Sequence, residues 1–153
     1  MRFFKNFPVY CLLMVLVVLL TNKAAHAQAD KLEGVWYNDI KTAKILITKG
    51  NNGKFNGKIV WLKVVNDENG KPRTDIKNPD AKLKHRPLMG LHLLANFIKD
   101  PDDEDRYIDG TIYDPLNGKV YMCKIKYEGK TIRIRGYVMI PLFGRTTHWE
   151  RTN

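Results

Sequence analysis

Past residue 27 the sequence has one cysteine, no serine and little helical periodicity. Each shortage excludes something. A single thiol, Cys123, cannot close an intrachain disulfide, so the core must hold the fold alone. Without serine there is no Gly-x-Ser-x-Gly nucleophile. The histidines beyond the leader, His85, His92 and His148, have no metal-ligand spacing, and there is no His-Glu-x-x-His, so no zinc is expected. Neither the phosphate-binding nor the dinucleotide-binding glycine pattern occurs. Asp67-Glu68-Asn69-Gly70 resembles the start of a calcium loop, but Lys71 and Asn78 stand where acidic ligands are needed. No metal and no cofactor are expected.

What is present begins with an export pattern. Arg2 and Lys5 precede an uncharged apolar run, Val9 to Leu20. Ala25-His26-Ala27 follows as a small-x-small cleavage pattern. The run is shorter than the ~20 residues that span a bilayer. Residues 1–27 therefore read as a signal peptide and 28–153 as a single domain, with no transmembrane segment in the mature chain. The expected location is periplasmic or extracellular.

The whole chain has 26 Lys+Arg and 16 Asp+Glu, a formal charge of +10. The leader removes Arg2, Lys5 and Lys23 and no acids, leaving 23 − 16 = +7. Outside the cytoplasm a basic protein meets anionic polymers and lipid headgroups rather than nucleic acid.

The domain reads mostly with period two. Strands are expected over 34–38, 44–49, 54–62, 106–113, 119–127, 131–138 and 145–151. Residues 88–98 suit a helix or a strand and are taken as a strand. On the third strand Phe55, Gly57, Ile59 and Trp61 share one face. Cys123 shares a face with Tyr121, Ile125 and Tyr127 and reads as a buried small hydrophobe. Residues 63–86 form a long polar connection. About eight antiparallel strands is the size at which a sheet closes into a barrel, filled by side chains or holding one small ligand. Lys124, Lys126, Arg133 and Arg135 oppose the apolar faces, which argues against a lipid-facing exterior.

Several stretches resemble a bacterial exported family known as domain of unknown function 2147. They are Gly34-Val35-Trp36, Gly57-Lys58-Ile59-Val60, Asp75-Ile76-Lys77-Asn78-Pro79, Arg86-Pro87-Leu88-Met89-Gly90, Gly110 to Pro115, Arg135-Gly136-Tyr137 and Pro141 to Arg145, with Trp149 and Arg151. The resemblance spans nearly all of 30–151 and implies no activity. Gly34-x-Trp36 is also similar to the opening of lipocalin-like barrels, which implies an up-and-down barrel closed by an Arg of the last strand stacked on that Trp. Arg145 or Arg151 would play that part, so Gly34, Trp36, Arg145, Trp149 and Arg151 are the closure candidates.

Three functions remain open. Inward aromatics with an inward Arg would bind a small amphipathic or anionic molecule, with Trp36, Trp61, Tyr113, Tyr121, Arg135 and Arg145 as candidates. A filled barrel with a basic surface would dock on anionic envelope polymer or lipid. A hydrolase would need Asp75 beside Asp109 or Asp114, aided by Tyr113 and Arg135, although Asp114-Pro115 also reads as turn chemistry.

Overall fold

The computed structural model describes residues 29–139, 142 and 144–152. The expected leader (1–27) and Pro141 lie outside the described residues. Eight strands follow in chain order: β1 (Gly34–Tyr37), β2 (Ala43–Lys49), β3 (Phe55–Leu62), β4 (His92–Lys99), β5 (Arg106–Asp114), β6 (Lys119–Glu128), β7 (Thr131–Tyr137) and β8 (Gly144–Arg151). Each pairs antiparallel with the next, and β1 pairs with β8, closing an up-and-down barrel. The one helical element among the described residues is a short 3₁₀ turn, Ala81–Leu83, in the connection between β3 and β4.

Period-two alternation decides what faces in. Ile45 and Ile47 on β2, Cys123 and Ile125 on β6, and Ile132 and Ile134 on β7 are at most 1% exposed. Phe55, Phe97, Tyr107 and Trp149 fill the space between them. Burial pushes the Cys123 thiol up to about 12, so it stays a protonated, unreactive hydrophobe. Lys58, Arg133 and their neighbours stand on the outside. An apolar inside and a charged outside reverse the polarity of a barrel that spans a membrane around a wet lumen. No helix among the described residues is long and apolar enough to cross a membrane.

Two expectations are corrected. Trp61 does not join Phe55, Gly57 and Ile59 in the core. Ile45 pairs with Ile59, but Lys44 pairs with Trp61, so Val60 is an extra residue in β3. This bulge shifts the alternation by one. Leu62 turns inward, 7% exposed, while Val60 and Trp61 emerge at 38% and 37%. The fourth strand begins at His92, not Leu88. Leu88 and Leu91 are buried all the same. They anchor the end of the long connection, where Ile59 N donates to Leu91 O and Gly90 N to Ile59 O, both at 2.9 Å.

Candidate functional site

The two ends of the barrel are built differently. At one end residues 29–33 cross the opening. Leu32 and Trp36 are fully buried there, and Trp36 Nε1 donates to Leu32 O at 3.0 Å. The Arg151 guanidinium lies 4.2 Å from the Trp36 ring centre. It also donates to Glu33 O at 2.9 Å and to Lys31 O. Arg151 thus joins the last strand, the first strand and the segment before it. Gly34, at φ +135°, has no side chain for a mechanical reason: a Cβ there would overlap the Arg151 guanidinium. Tyr107 donates from its hydroxyl to Asp30, and Lys31 pairs with Asp105. This end is sealed. Trp149, 4% exposed and opposite Ile132, packs in the same core.

Arg145, the other candidate for the Trp36 partner, is elsewhere. It lies at the opposite end, the mouth, and its side chain is 85% exposed. The mouth carries the β1–β2 loop, the long connection 63–91, the 115–118 turn and the link from β7 to β8. Arg145 stands opposite Gly136, and a Cβ on Gly136 would sit 3.4 Å from Ile112, so this register faces inward. Ile112 pairs with Tyr121, and both are half-buried. The Tyr121 hydroxyl accepts from Asn117 Nδ2 at 2.9 Å. The partner nearest to the Arg145 guanidinium is Asp39, at 3.8 Å. The mouth therefore offers an aromatic ring, an aliphatic side chain and a weakly engaged cation.

Of the six expected ligand contacts, only Tyr121 and Arg145 meet at the mouth. Trp36 is at the sealed end, and Trp61 is outside by the bulge. Arg135 pairs in register with Lys124 on the outer wall, where it donates to Thr146 Oγ1 at 3.0 Å and to Leu142 O at 3.2 Å. Tyr113 is also on the outer wall, one residue beyond the inward Ile112. Hollows of about 400 Å³ and 340 Å³ lie along the long connection, at residues 64–73 and 86–92, not inside the barrel.

Tyr113 serves a different cluster. Asp75 is 0% exposed. Its carboxylate accepts from Tyr113 Oη at 2.6 Å, Asn78 Nδ2 at 2.8 Å and the Arg86 guanidinium at 2.9 and 2.7 Å. Arg86 also lies over the Tyr113 ring. Asp109 sits exposed at a second bulge, in β5, with φ +58°. Asp114 accepts from Leu116 N and Asn117 Nδ2 within its own turn. The Asp75 cluster pins the long connection to the barrel wall. Asn78 and Arg86 were missed as its members. Their signal was that both stand in motif stretches inside an otherwise polar loop.

Burial alone would raise the Asp75 pKa, but hydrogen bonds from Tyr113, Asn78 and Arg86 outweigh it and hold the carboxyl below its ordinary value. A depressed folded pKa contributes stability that is fully present above the unfolded value, ~3.9, and is lost as pH falls through the folded one. Amide exchange over residues 63–91 should therefore stay slow at neutral pH and quicken only below about pH 4. Asp75→Ala should make it fast at pH 7, since buried partners left unpaired cost ~1–3 kcal/mol. Unchanged exchange in that variant would show that the cluster does not anchor the loop.

Comparison with known proteins agrees with this architecture. The family described as "Uncharacterized protein conserved in bacteria (DUF2147)" matches residues 34–151. A solved structure of protein HP1028 from the human pathogen Helicobacter pylori, described as belonging to the lipocalin family, is similar with a TM-score of 0.67. It is 22% identical, and the match covers 80% of this chain and 84% of that one. No curated protein matches the chain.

Proposed function

The chain belongs to the DUF2147 family of bacterial proteins, and from that premise we propose that it is an exported binding protein for a small amphipathic molecule with an anionic head. The observation that carries this reading is Arg145, an inward-register cation left 85% exposed beside Tyr121 and Ile112 at the mouth. The lipocalin-like architecture, sealed at one end and ringed by loops at the other, supports it. Because side chains fill the interior, the ligand is met at the mouth and not swallowed. Its head would pair with Arg145 and its apolar part would lie on Tyr121 and Ile112. Catalysis at Asp75 is disfavoured, since that carboxylate is inaccessible and every one of its partners holds the loop.

Export rests on the leader pattern of residues 1–27. N-terminal sequencing of the protein from the periplasmic fraction should give Gln28 first. A chain that still begins at Met1 there contradicts the leader reading.

Native mass spectrometry of protein purified from its own periplasm should show a co-purified anionic amphiphile. With dodecanoate as the titrant, Arg145→Ala should weaken binding about tenfold or more, the value of a charge-assisted hydrogen bond. Its melting temperature should not change, because the side chain is exposed. Absence of both a co-purified molecule and saturable dodecanoate binding would remove this function.

A further inference from the structure

Residues 40–66 contain six lysines and no acidic residue. In the fold they are the β2–β3 wall and the loop residues next to it, bounded by Asp39 and Asp67. Lys41 pairs with Glu150 at 2.7 Å. Among the described residues Lys54, Lys58 and Lys63 have no ion-pair partner, and Lys44 instead lies 4.8 Å from the Tyr37 ring and 5.5 Å from that of Trp61. Acids are concentrated elsewhere. Asp100, Asp103 and Asp105, at the sealed end, are engaged by Arg106, Lys126 and Lys31. The β2–β3 wall thus carries positive charge that, Lys41 apart, has no acidic partner among the described residues.

The same wall exposes apolar side chains at its mouth-side edge. The bulge in β3 turns Val60 and Trp61 out together. Tyr37 holds the Trp61 ring edge-on at 6.0 Å. Lys63 N donates to Thr42 O at 2.8 Å, which brings the β1–β2 loop with Ile40 beside Lys63 and Val64. Ile40 is 63% exposed and Val64 56%. Bulges of this kind re-aim side chains at a cost in sheet regularity.

We infer that the β2–β3 wall docks the protein on a bilayer surface bearing anionic headgroups. Lysines alone would suit any polyanion. The exposed Trp61, Val60, Ile40 and Val64 decide between partners. A charged polysaccharide offers nothing to bury them, whereas the headgroup–acyl boundary takes up amphipathic Trp and aliphatic side chains. Lysines flanking such a patch add attraction that falls off within a Debye length. The docked wall meets the mouth at the β1–β2 loop, where Asp39, next to Ile40, lies 3.8 Å from Arg145, but Lys58, Lys63 and Trp61 have no part in the ligand proposed above, so variants at these three test this inference independently.

The test is co-sedimentation of purified protein with vesicles of phosphatidylglycerol and phosphatidylcholine, or of phosphatidylcholine alone, at low salt. Parent and variants carry the same N-terminus. The expected result is binding to the anionic vesicles only, falling steeply with salt, with a blue shift of tryptophan emission. Lys58→Ala/Lys63→Ala should weaken it roughly 25-fold, at about fivefold per lysine. Lys119→Ala/Lys130→Ala, which removes the same charge around β6 on the far side of the ring, should change it less than about threefold. Trp61→Ser should abolish the blue shift and weaken vesicle binding, while leaving retention on dextran sulfate unchanged. Thermal melts check that these exposed substitutions leave the fold intact. Three outcomes overturn the inference. One is no binding to anionic vesicles. Another is equal loss in the two lysine pairs, which means net charge and no docking wall. The third is vesicle binding indifferent to Trp61→Ser, which means a polyanion partner.

Discussion

Trp36→Ala is expected to lower the unfolding free energy by ~3–5 kcal/mol, measured by urea denaturation. The ring is fully buried, its Nε1 is bonded to Leu32 O, and Tyr127 packs edge-on at 6.4 Å. Truncation removes the floor on which residues 29–33 and the Arg151 guanidinium rest. Because a domain is stable by only ~5–15 kcal/mol, this loss approaches the whole margin. Arg151→Ala should cost less, ~1–3 kcal/mol, through the lost cation–π contact and the two unpaired carbonyls of Lys31 and Glu33. Arg151→Lys should recover little, because a point charge lacks the fork that reaches both carbonyls. A double-mutant cycle should give a coupling of at least ~0.5 kcal/mol for Trp36 with Arg151 and none beyond error for Trp36 with Arg145. A cost under ~1 kcal/mol for Trp36→Ala, or coupling to the wrong arginine, would dismantle the account of the sealed end.

The second large effect is expected at Gly110. This glycine follows the β5 bulge, and a Cβ there would lie closer than 3.0 Å to the Phe97 ring. Phe97 is 1% exposed and is held among Phe55, Leu94 and the rest of the core, so it has nowhere to retreat. Gly110→Ala should therefore destabilise by ~1–3 kcal/mol although it adds one methyl group. The penalty is steric, because Gly110 is not at positive φ. A smaller ring-site residue should relieve it: Gly110→Ala/Phe97→Leu should be more stable than the sum of the single effects predicts. Simple additivity in thermal or urea melts would mean that the ring does not occupy the space above the glycine.

Much of the wall was legible as alternation. On β6, Tyr121, Cys123, Ile125 and Tyr127 face in as period two requires, and on β7 Ile132 and Ile134 do the same. The ambiguous stretch 88–98 was ambiguous for a physical reason. Leu88 and Leu91 are buried by the loop and Leu94 and Phe97 by the strand, so one apolar run serves two environments with different spacing. The partners of Asp75 were harder to see. Tyr113 is 38 residues away, and a carboxylate, an amide, a phenol and a guanidinium have no common spacing once a loop folds back on a wall.

The sequence by itself determined the all-β class, the number of strands, the inward faces of most of them, the burial of Cys123 and the basic excess. All of these follow from local periodicity and composition, which need no knowledge of what lies across the barrel. Only the tertiary structure decided which arginine covers Trp36, that Tyr121 and Arg145 share the mouth while Trp61, Tyr113 and Arg135 stand outside, and that Asp75 anchors a loop. The reason is register. In a strand one inserted residue sends everything after it to the other face, and the extra residue at Val60 is set by how β2 pairs with β3, not by any local preference in Val60 or Trp61 themselves.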